Sequence, residues 1–232
     1  TIRAFLFFAY PTWMSGDKVW VYDAVNKEGA DAISGETMLG YYAKAGQELT
    51  IKGANGVADV VTTYGDRANE LYSTWDKFMG FIPGSVGETS TLLILLGAAF
   101  LIFTKIGSWR IILSTFVGGY FMAYIFNLLG FNALMETPAH IHLIIGGFAF
   151  GAVFMASDPV TATQTNSGKY IYGFLIGVFA ILIRIFNPAY PEGMMLAVLL
   201  MNVFAPLIDH YVIESNISKR RKRWANIKLK TA

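Results

Sequence analysis

Long apolar stretches separated by short polar connections occupy most of this 232-residue chain. A transmembrane helix needs about twenty mostly apolar residues, and five stretches approach or reach that length. They lie at residues 88–104, 111–134, 137–157, 170–186 and 194–213. The pattern therefore predicts an all-α integral membrane protein with about five complete transmembrane helices.

The region before these stretches has a different pattern. Residues 1–12 are largely apolar, which predicts the end of a truncated transmembrane helix. Residues 13–77 are more polar and form a segment longer than ordinary connections. A strand is predicted at 48–51, a turn at 53–56 and a helix at 66–77. Such a segment is either a poorly ordered loop or a platform over a bound aromatic ring.

Residues 78–87 are apolar but too short to span a bilayer, and Pro83, Gly84 and Gly87 interrupt them. This pattern predicts a re-entrant segment or a discontinuous helix, and such segments mark ion or substrate paths. The membrane domain is expected to cover residues 78–214. Within it, glycines four apart at 147–151 and 173–177 predict closely packed helix faces.

Composition and charge support a membrane location. The chain is 54% hydrophobic and 15% charged, and it has no cysteine, which excludes disulfides and thiolate-ligated clusters. Seven of its eighteen lysines and arginines fall in residues 219–232, within a basic tail predicted at 215–232. Such a run can bind nucleic acid. Directly after an apolar span, however, it is more typical of a tail that stays on the cytoplasmic side and contacts anionic lipid. Residues 13–77 are then periplasmic.

A heptapeptide in the polar segment carries the most specific candidate chemistry. It reads Asp31-Ala32-Ile33-Ser34-Gly35-Glu36-Thr37, so the Thr37 hydroxyl follows a predicted Ser-Gly turn. A helix is predicted to begin at residues 37–39. The residues leave two interpretations open: the hydroxyl is an attachment point, or the motif is ordinary loop chemistry in which the acidic residue caps the helix.

The heptapeptide resembles the Asp-Gly-x-Ser-Gly-Ala-Thr pattern on which membrane subunits of bacterial flavin-driven ion pumps carry FMN. Residues 3–11, 82–88, 165–169 and 187–195 are similar to the B subunit of the sodium-translocating NADH:quinone reductase. The resemblance implies FMN joined through its phosphate to Thr37, with Asp31, Ser34 and Gly35 completing the binding motif. It also implies a non-covalently held riboflavin.

The same resemblance implies the surroundings of the chain. We expect the C-terminal portion of a longer subunit, with a urea-transporter-like half, in the inner membrane of a bacterium. Its partners would be the other subunits of the complex, quinone, the lipid bilayer and a flavin transferase that matures it, and no nucleic acid. The transported ion would be sodium.

Ionisable residues in or near the apolar spans are further candidates, because an unpaired charge inside a bilayer is costly. They are Glu88, His140, His142, Arg184, Asp209 and His210. Asp209 follows Pro206, which frees a backbone carbonyl. A carboxylate oxygen beside a free carbonyl oxygen suits a hard cation. Its position also matches an acidic residue that the resemblance associates with sodium uptake. Glu88 is a second tentative residue of the sodium path.

The remaining ionisable residues give weaker signals. His140 and His142 are two apart and so do not share a helix face, which argues against a two-histidine metal site. Arg184 is expected to reach the interface, to pair with Glu192, or to contact a flavin phosphate. No dinucleotide-binding motif, P-loop or zinc spacing occurs, so electrons must arrive from elsewhere and the chain is not catalytic alone.

Two other functions remain open. One is the D subunit of the related ferredoxin:NAD oxidoreductase, which shares the flavin motif. The other is a non-redox solute channel of urea-transporter-like fold, which would have no need of residues 34–37. The leading hypothesis is an electron-relay subunit that couples flavin chemistry to sodium movement.

Overall fold

The fold is mainly helical in the computed structural model, which describes residues 2–10, 19–21, 33–35, 37–43, 48–51, 60–63, 69, 72–84, 87–187 and 193–231. The helices are α1 (Ile2–Ala9), α2 (Met38–Ala43), α3 (Thr74–Met79), α4 (Thr91–Phe103), α5 (Trp109–Leu129), α6 (Ala133–Glu136), α7 (Ala139–Ile144), α8 (Phe148–Phe150), α9 (Asn166–Phe186) and α10 (Met194–Thr231). A π-helical turn, Gly151–Met155, continues α8.

Two short strand pairs accompany the helices, so the fold is not purely α. Strand β1 (Val19–Val21) pairs antiparallel with β2 (Ile33–Gly35), and β3 (Glu48–Ile51) pairs antiparallel with β4 (Val60–Thr63). The strand predicted at 48–51 is confirmed. Of the helix predicted at 66–77, the described part that matches is α3, and the predicted turn at 53–56 lies outside the described residues.

Three helices are long and apolar enough to cross a membrane in the part of the chain that the structure describes. They are Trp109–Leu129, Asn166–Phe186 and the first 31 residues of α10, Met194–Trp224. The predicted first span is only 13 residues long as α4, which corresponds to about 20 Å against a bilayer core of about 30 Å. The chain is a multi-pass membrane protein, but five complete spans are not confirmed within the described residues.

The predicted span at 137–157 is interrupted rather than continuous. Helix α7 ends at Ile144, and Gly146 and Gly147 have positive φ angles of 68° and 65° before α8 begins. Residues with side chains rarely adopt this conformation, so two successive glycines permit a sharp break at this point. Helices α7 and α8 therefore form a discontinuous helix.

The re-entrant segment predicted at 78–87 takes another form. Phe78 and Met79 end α3, and Gly80, with φ of 95°, terminates the helix. The other described residues of the segment are not helical. They lie between α3 and α4 outside any helix, and Gly87 at the end of the segment also has a positive φ angle, of 88°.

Helices α5 and α9 form the centre of the membrane domain and run parallel. Trp109 contacts Tyr170 near both N-termini, and Phe126 contacts Phe186 near both C-termini. Between these ends, a Cβ added at Gly177 would overlap the backbone of Thr115. The predicted close-packed face at 173–177 is thus confirmed, whereas the one at 147–151 includes the helix break.

Helix α10 packs antiparallel against α9. The Tyr172 hydroxyl donates to the Asn202 side-chain oxygen, and Asp209 reaches Thr165, the N-cap of α9. Beyond Asp209, α10 continues as helix to Thr231 with its described side chains largely exposed. The described part of the basic segment predicted at 215–232 is therefore an extension of the last membrane helix.

Candidate functional site

Thr37 lies immediately before α2. Its Oγ1 accepts a hydrogen bond from the backbone N–H of Gly40 at 3.2 Å, which is the bond expected of an N-cap. The side chain is buried, with 8% of its surface exposed. The hydroxyl itself therefore caps α2. Glu36, the acidic residue predicted to cap it, lies outside the described residues.

Ser34 and Gly35 do not form a turn. Gly35 pairs with Val19 and Ser34 pairs with Trp20 in the antiparallel pair of β1 and β2. The predicted Ser-Gly turn is therefore wrong, because pairing with a strand fourteen or more residues earlier holds this backbone extended. Asp31, the first residue of the motif, lies outside the described residues.

A small cavity of about 20 Å³, enough for about one water-sized molecule, lies beside Thr37. Three parts of the chain enclose it: the start of α2, the loop before α4, and the break between α7 and α8. Its lining residues are Thr37, Met38, Leu39, Ile82, Pro83, Gly84, Glu88, Thr89, Ile144, Gly146 and Gly147. The cavity thus brings together the candidate attachment hydroxyl, Glu88 and the discontinuous helix.

Arg184 supports the broken helix from the side of α9. Its guanidinium donates to the backbone carbonyls of His142 at 2.6 Å, Ile145 at 3.2 Å and Gly146 at 3.3 Å. These carbonyls lie at the end of α7, where the helix supplies no further N–H donors. The arginine therefore satisfies acceptors that would be costly to bury without a hydrogen bond. The side chain is 1% exposed, which is inconsistent with the expected snorkelling to the interface.

Glu88 and Arg184 approach the same two glycines. A Cβ at Gly147 would lie 2.8 Å from a Glu88 carboxylate oxygen, and one at Gly146 would lie 3.1 Å from an Arg184 nitrogen. The glycines therefore serve two purposes: they permit the positive φ angles, and they leave room for an acidic and a basic side chain beside the break.

A buried lysine joins α2 to α3. The Lys77 ammonium donates to the Tyr42 hydroxyl at 2.8 Å and to the Asn69 side-chain oxygen at 3.0 Å, and it also lies over the Tyr42 ring. Burial lowers the pKa of Lys77, an effect that the nearby Asp76 carboxylate partly offsets, and burial raises the pKa of Tyr42 to about 12. This contact fixes the segment that carries Thr37 to the segment that leads into the cavity wall.

Asp209 forms a second polar site at the other end of α9. One carboxylate oxygen accepts from the Gln164 N–H at 2.8 Å, and the other accepts from the Thr165 N–H at 3.1 Å and the Thr165 hydroxyl at 2.6 Å. Lys219 and Arg220, in the basic tail of the same helix, make no ion pair with it among the described residues. Asp209 instead anchors α10 to the loop that begins α9.

The two sites are far apart. Asp209 contacts Thr165 at the start of α9, whereas Arg184 near its end contacts the Gly146 carbonyl at the Thr37 cavity. Nineteen residues of helix separate Thr165 from Arg184, which corresponds to about 28 Å. Asp209 and Glu88 therefore belong to opposite ends of the membrane domain.

The two histidines of α7 lie in different environments. Among the described residues, no group of three or more histidine, cysteine, aspartate and glutamate side chains could hold a metal ion. His142 is buried and His140 is exposed, as their spacing predicts. The buried Nδ1 of His142 makes no hydrogen bond within the described structure.

Comparison with known proteins identifies the family. A profile of the NQR2, RnfD, RnfE family matches residues 1–218. The chain belongs to this family. Among curated proteins, the B subunit of the Na⁺-translocating NADH-quinone reductase of Chromohalobacter salexigens is 50% identical over 96% of this chain. Proteins of the same name from Yersinia pestis and Neisseria meningitidis serogroup B are 49% and 47% identical over 95% of it.

These relatives are longer than the chain. The aligned region covers 49% of the Chromohalobacter and Yersinia proteins and 50% of the Neisseria protein. The resemblance to the B subunit is therefore confirmed for a chain that spans about half the length of the curated relatives it matches.

The sequence located some parts of the site and missed others. Thr37 and Glu88 were both candidates, and they line one cavity. The Lys77–Tyr42 contact had no sequence signal, because the two residues are 35 positions apart. The Gly146-Gly147 break did have a signal, namely two successive glycines inside an apolar run.

Proposed function

We propose that this chain is part of the membrane subunit of a redox-driven sodium pump and carries FMN as a phosphoester on Thr37. The subunit would relay electrons toward quinone in a bacterial inner membrane, together with the other subunits of the complex. The observation that carries the proposal is the Thr37 hydroxyl on a cavity beside a discontinuous helix. The relatives named as B subunits of a Na⁺-translocating reductase support it.

The residues around Thr37 fit a phosphoryl attachment. The hydroxyl lines a small cavity whose walls include Gly84, Gly146 and Gly147, so no side chain of these residues covers it. The Arg184 guanidinium lies directly behind the Gly146 wall and brings a buried positive charge close to the cavity. When bound, the flavin would supply one- and two-electron transfer.

Attachment requires a transferase with FAD as the donor. The Thr37 Oγ1 forms a bond to the FMN phosphorus while the pyrophosphate bond of FAD breaks, AMP leaves and the hydroxyl proton is released. Because Thr37 is 8% exposed, the enzyme must reach it before α2 packs against the cavity, or while α2 is detached.

Four variants test the attachment. Thr37→Ala should lose covalent FMN and should weaken α2 by about 1 kcal/mol, because it also removes the N-cap. Thr37→Asn retains a side chain that caps helices well but cannot form the ester, so it should lose FMN without the loss of stability. Thr37→Ser should retain part of the flavin. Thr89→Ala is the matched control, since Thr89 lines the same cavity.

The measurement is flavin fluorescence of the subunit in a denaturing gel, with thermal stability of the purified complex measured in parallel. A fluorescent Thr37→Asn band at wild-type intensity would refute the attachment. So would loss of the signal in Thr89→Ala alone.

Asp209 is proposed to act in sodium entry at the opposite end of the domain. Both carboxylate oxygens already accept hydrogen bonds from residues 164–165, so the side chain has a structural role that any sodium role must share. This changes the interpretation of Asp209→Asn, which removes the charge and also turns an amide N–H₂ toward a backbone donor.

A second variant separates charge from anchoring. Thr165→Val removes the hydroxyl bond to Asp209 but leaves the carboxylate charged. If the charge attracts sodium, Asp209→Asn should raise the sodium concentration for half-maximal quinone reduction severalfold, and Thr165→Val should not. Equal shifts in both variants would assign Asp209 to anchoring alone. Covalent FMN content should be unchanged in both, because the sites are about 28 Å apart.

A further inference from the structure

An apolar groove lies on the outer surface between the first turns of α5 and α9. Its cavity volume is about 440 Å³, within the range of roughly 300–1,000 Å³ typical of ligand clefts. Leu113 and Val117 on α5 face Ile171 and Phe174 on α9 across it. Toward the middle of α5, the groove ends where Phe174 also packs on Phe121.

The mouth of the groove has a different character. Trp109 and Tyr170 meet edge to face there at 6.1 Å, and the Arg110 guanidinium lies 5.3 Å from the centre of the Trp109 ring. Arg110 is three and seven positions before Leu113 and Val117, so it shares their helix face. No carboxylate within the described residues lies within 4.0 Å of Arg110.

This combination suits a phospholipid better than other occupants. Tryptophan, tyrosine and arginine side chains are typical of the level at which lipid headgroups lie. A packed transmembrane helix is expected to meet small residues, whereas six of the seven residues that line this groove are large or branched and only Ser114 is small. A neutral quinone would leave the charge of Arg110 without a partner.

We propose that this groove binds an anionic phospholipid. The lipid phosphate lies on Arg110, and the first part of one acyl chain packs between Val117 and Ile171. The described groove covers about one and a half helical turns, close to 8 Å along the helices, so the rest of the acyl chain continues into the bilayer.

The experiment uses the purified full-length protein with its co-purifying subunits. The delipidated sample is titrated with phosphatidylglycerol or phosphatidylcholine, and bound lipids are counted by native mass spectrometry. Arg110→Gln should weaken phosphatidylglycerol binding by about fivefold or more and should leave phosphatidylcholine binding unchanged. Lys105→Gln is the matched control, because Lys105 is an exposed cation in the preceding loop.

A second pair of variants tests the groove itself. Val117→Trp fills the groove and should remove one bound phosphatidylglycerol. Leu128→Trp adds the same bulk at an exposed position of α5 away from the groove and should have no effect. Wild-type phosphatidylglycerol binding in Arg110→Gln would overturn the proposal. So would a Val117→Trp protein that retains the lipid but loses a partner protein or quinone; if that variant does not assemble, the Arg110 and Lys105 pair decides.

Discussion

At the scale of single residues, Lys77 illustrates how a buried charge supports the Thr37 segment. Its side chain is 2% exposed, and its contacts with Tyr42 and Asn69 hold α2 against α3. A buried ammonium is costly unless its donors are satisfied, and two neutral oxygens satisfy it only in part. Desolvation therefore dominates and lowers its pKa.

The lowered pKa predicts a pH dependence. The unfolded chain binds more protons at Lys77 than the folded chain between the lowered value and the ordinary 10.5, so stability rises with pH in that window. Relative to Lys77→Met, the melting temperature of the wild type should increase by a few °C between about pH 7 and about pH 10.

The high pKa of Tyr42 acts in the opposite direction. The stability that Tyr42 contributes is lost as pH rises from 10.0 toward about 12. Because Tyr42 is present in both the wild type and Lys77→Met, this effect largely cancels when the two are compared. Lys105→Met, at an exposed lysine, is the control for the loss of one ammonium group. A constant difference between wild type and Lys77→Met would mean that Lys77 titrates as an ordinary lysine.

At the scale of elements, the break between α7 and α8 is the feature that organises the cavity. A continuous helix would carry its own hydrogen bonds through residues 145–147, whereas the break exposes carbonyls to which Arg184 donates. The same break brings Gly147 beside Glu88. The geometry at Thr37 therefore depends on a helix interruption more than one hundred residues away in sequence.

Gly146 and Gly130 offer a matched test of this element. Both have positive φ, but a Cβ at Gly130 would meet nothing within 4 Å, whereas one at Gly146 would overlap the Leu39 side chain and crowd Arg184. Gly130→Ala should cost about 1 kcal/mol for backbone strain alone. Gly146→Ala should cost a further 1–3 kcal/mol, approximately, for overpacking.

The measurement is the melting temperature of each purified variant, followed by covalent FMN content. Gly146→Ala should also reduce flavin content, because Leu39 lies two residues from Thr37 on the cavity wall. Equal stability losses in the two variants would show that crowding at the break is unimportant.

At the scale of the whole molecule, the two candidate sites lie at opposite ends of one helix, α9. The Thr37 cavity lies at the C-terminal end of α9, and Asp209 lies at its N-terminal end. The positive-inside rule predicts that the first end is periplasmic and the second cytoplasmic. An electron site and an ion-entry site would then be on different sides of the membrane.

Cysteine labelling tests this orientation cleanly, because the chain has no cysteine of its own. Phe81→Cys lies in an exposed position next to the cavity wall, and Lys105→Cys lies in the exposed loop at the other end of α4. A membrane-impermeant maleimide should label Phe81→Cys in intact spheroplasts and Lys105→Cys only after permeabilisation. The reverse pattern would place Thr37 in the cytoplasm.

The sequence predicted the membrane class and three of the spans, and it named Thr37, Glu88 and Asp209 as candidate site residues. It did not predict the course of residues 137–157, because an apolar run of sufficient length is expected to span regardless of an internal glycine pair. It also assigned a turn to Ser34 and Gly35, since the strand that pairs with them is not adjacent in sequence. Long-range pairing leaves no local pattern.

What the sequence determined by itself was the chemistry available: apolar length for the spans, a threonine in a motif that resembles a flavin site, and an acidic residue after a proline. Only the tertiary structure decided how these groups meet. In the folded chain Thr37 caps a helix beside a cavity, Arg184 donates to the carbonyls of a broken helix, and Asp209 accepts hydrogen bonds from the start of α9. The physical reason is that buried polar groups must find partners, and those partners are chosen by packing between helices distant in sequence.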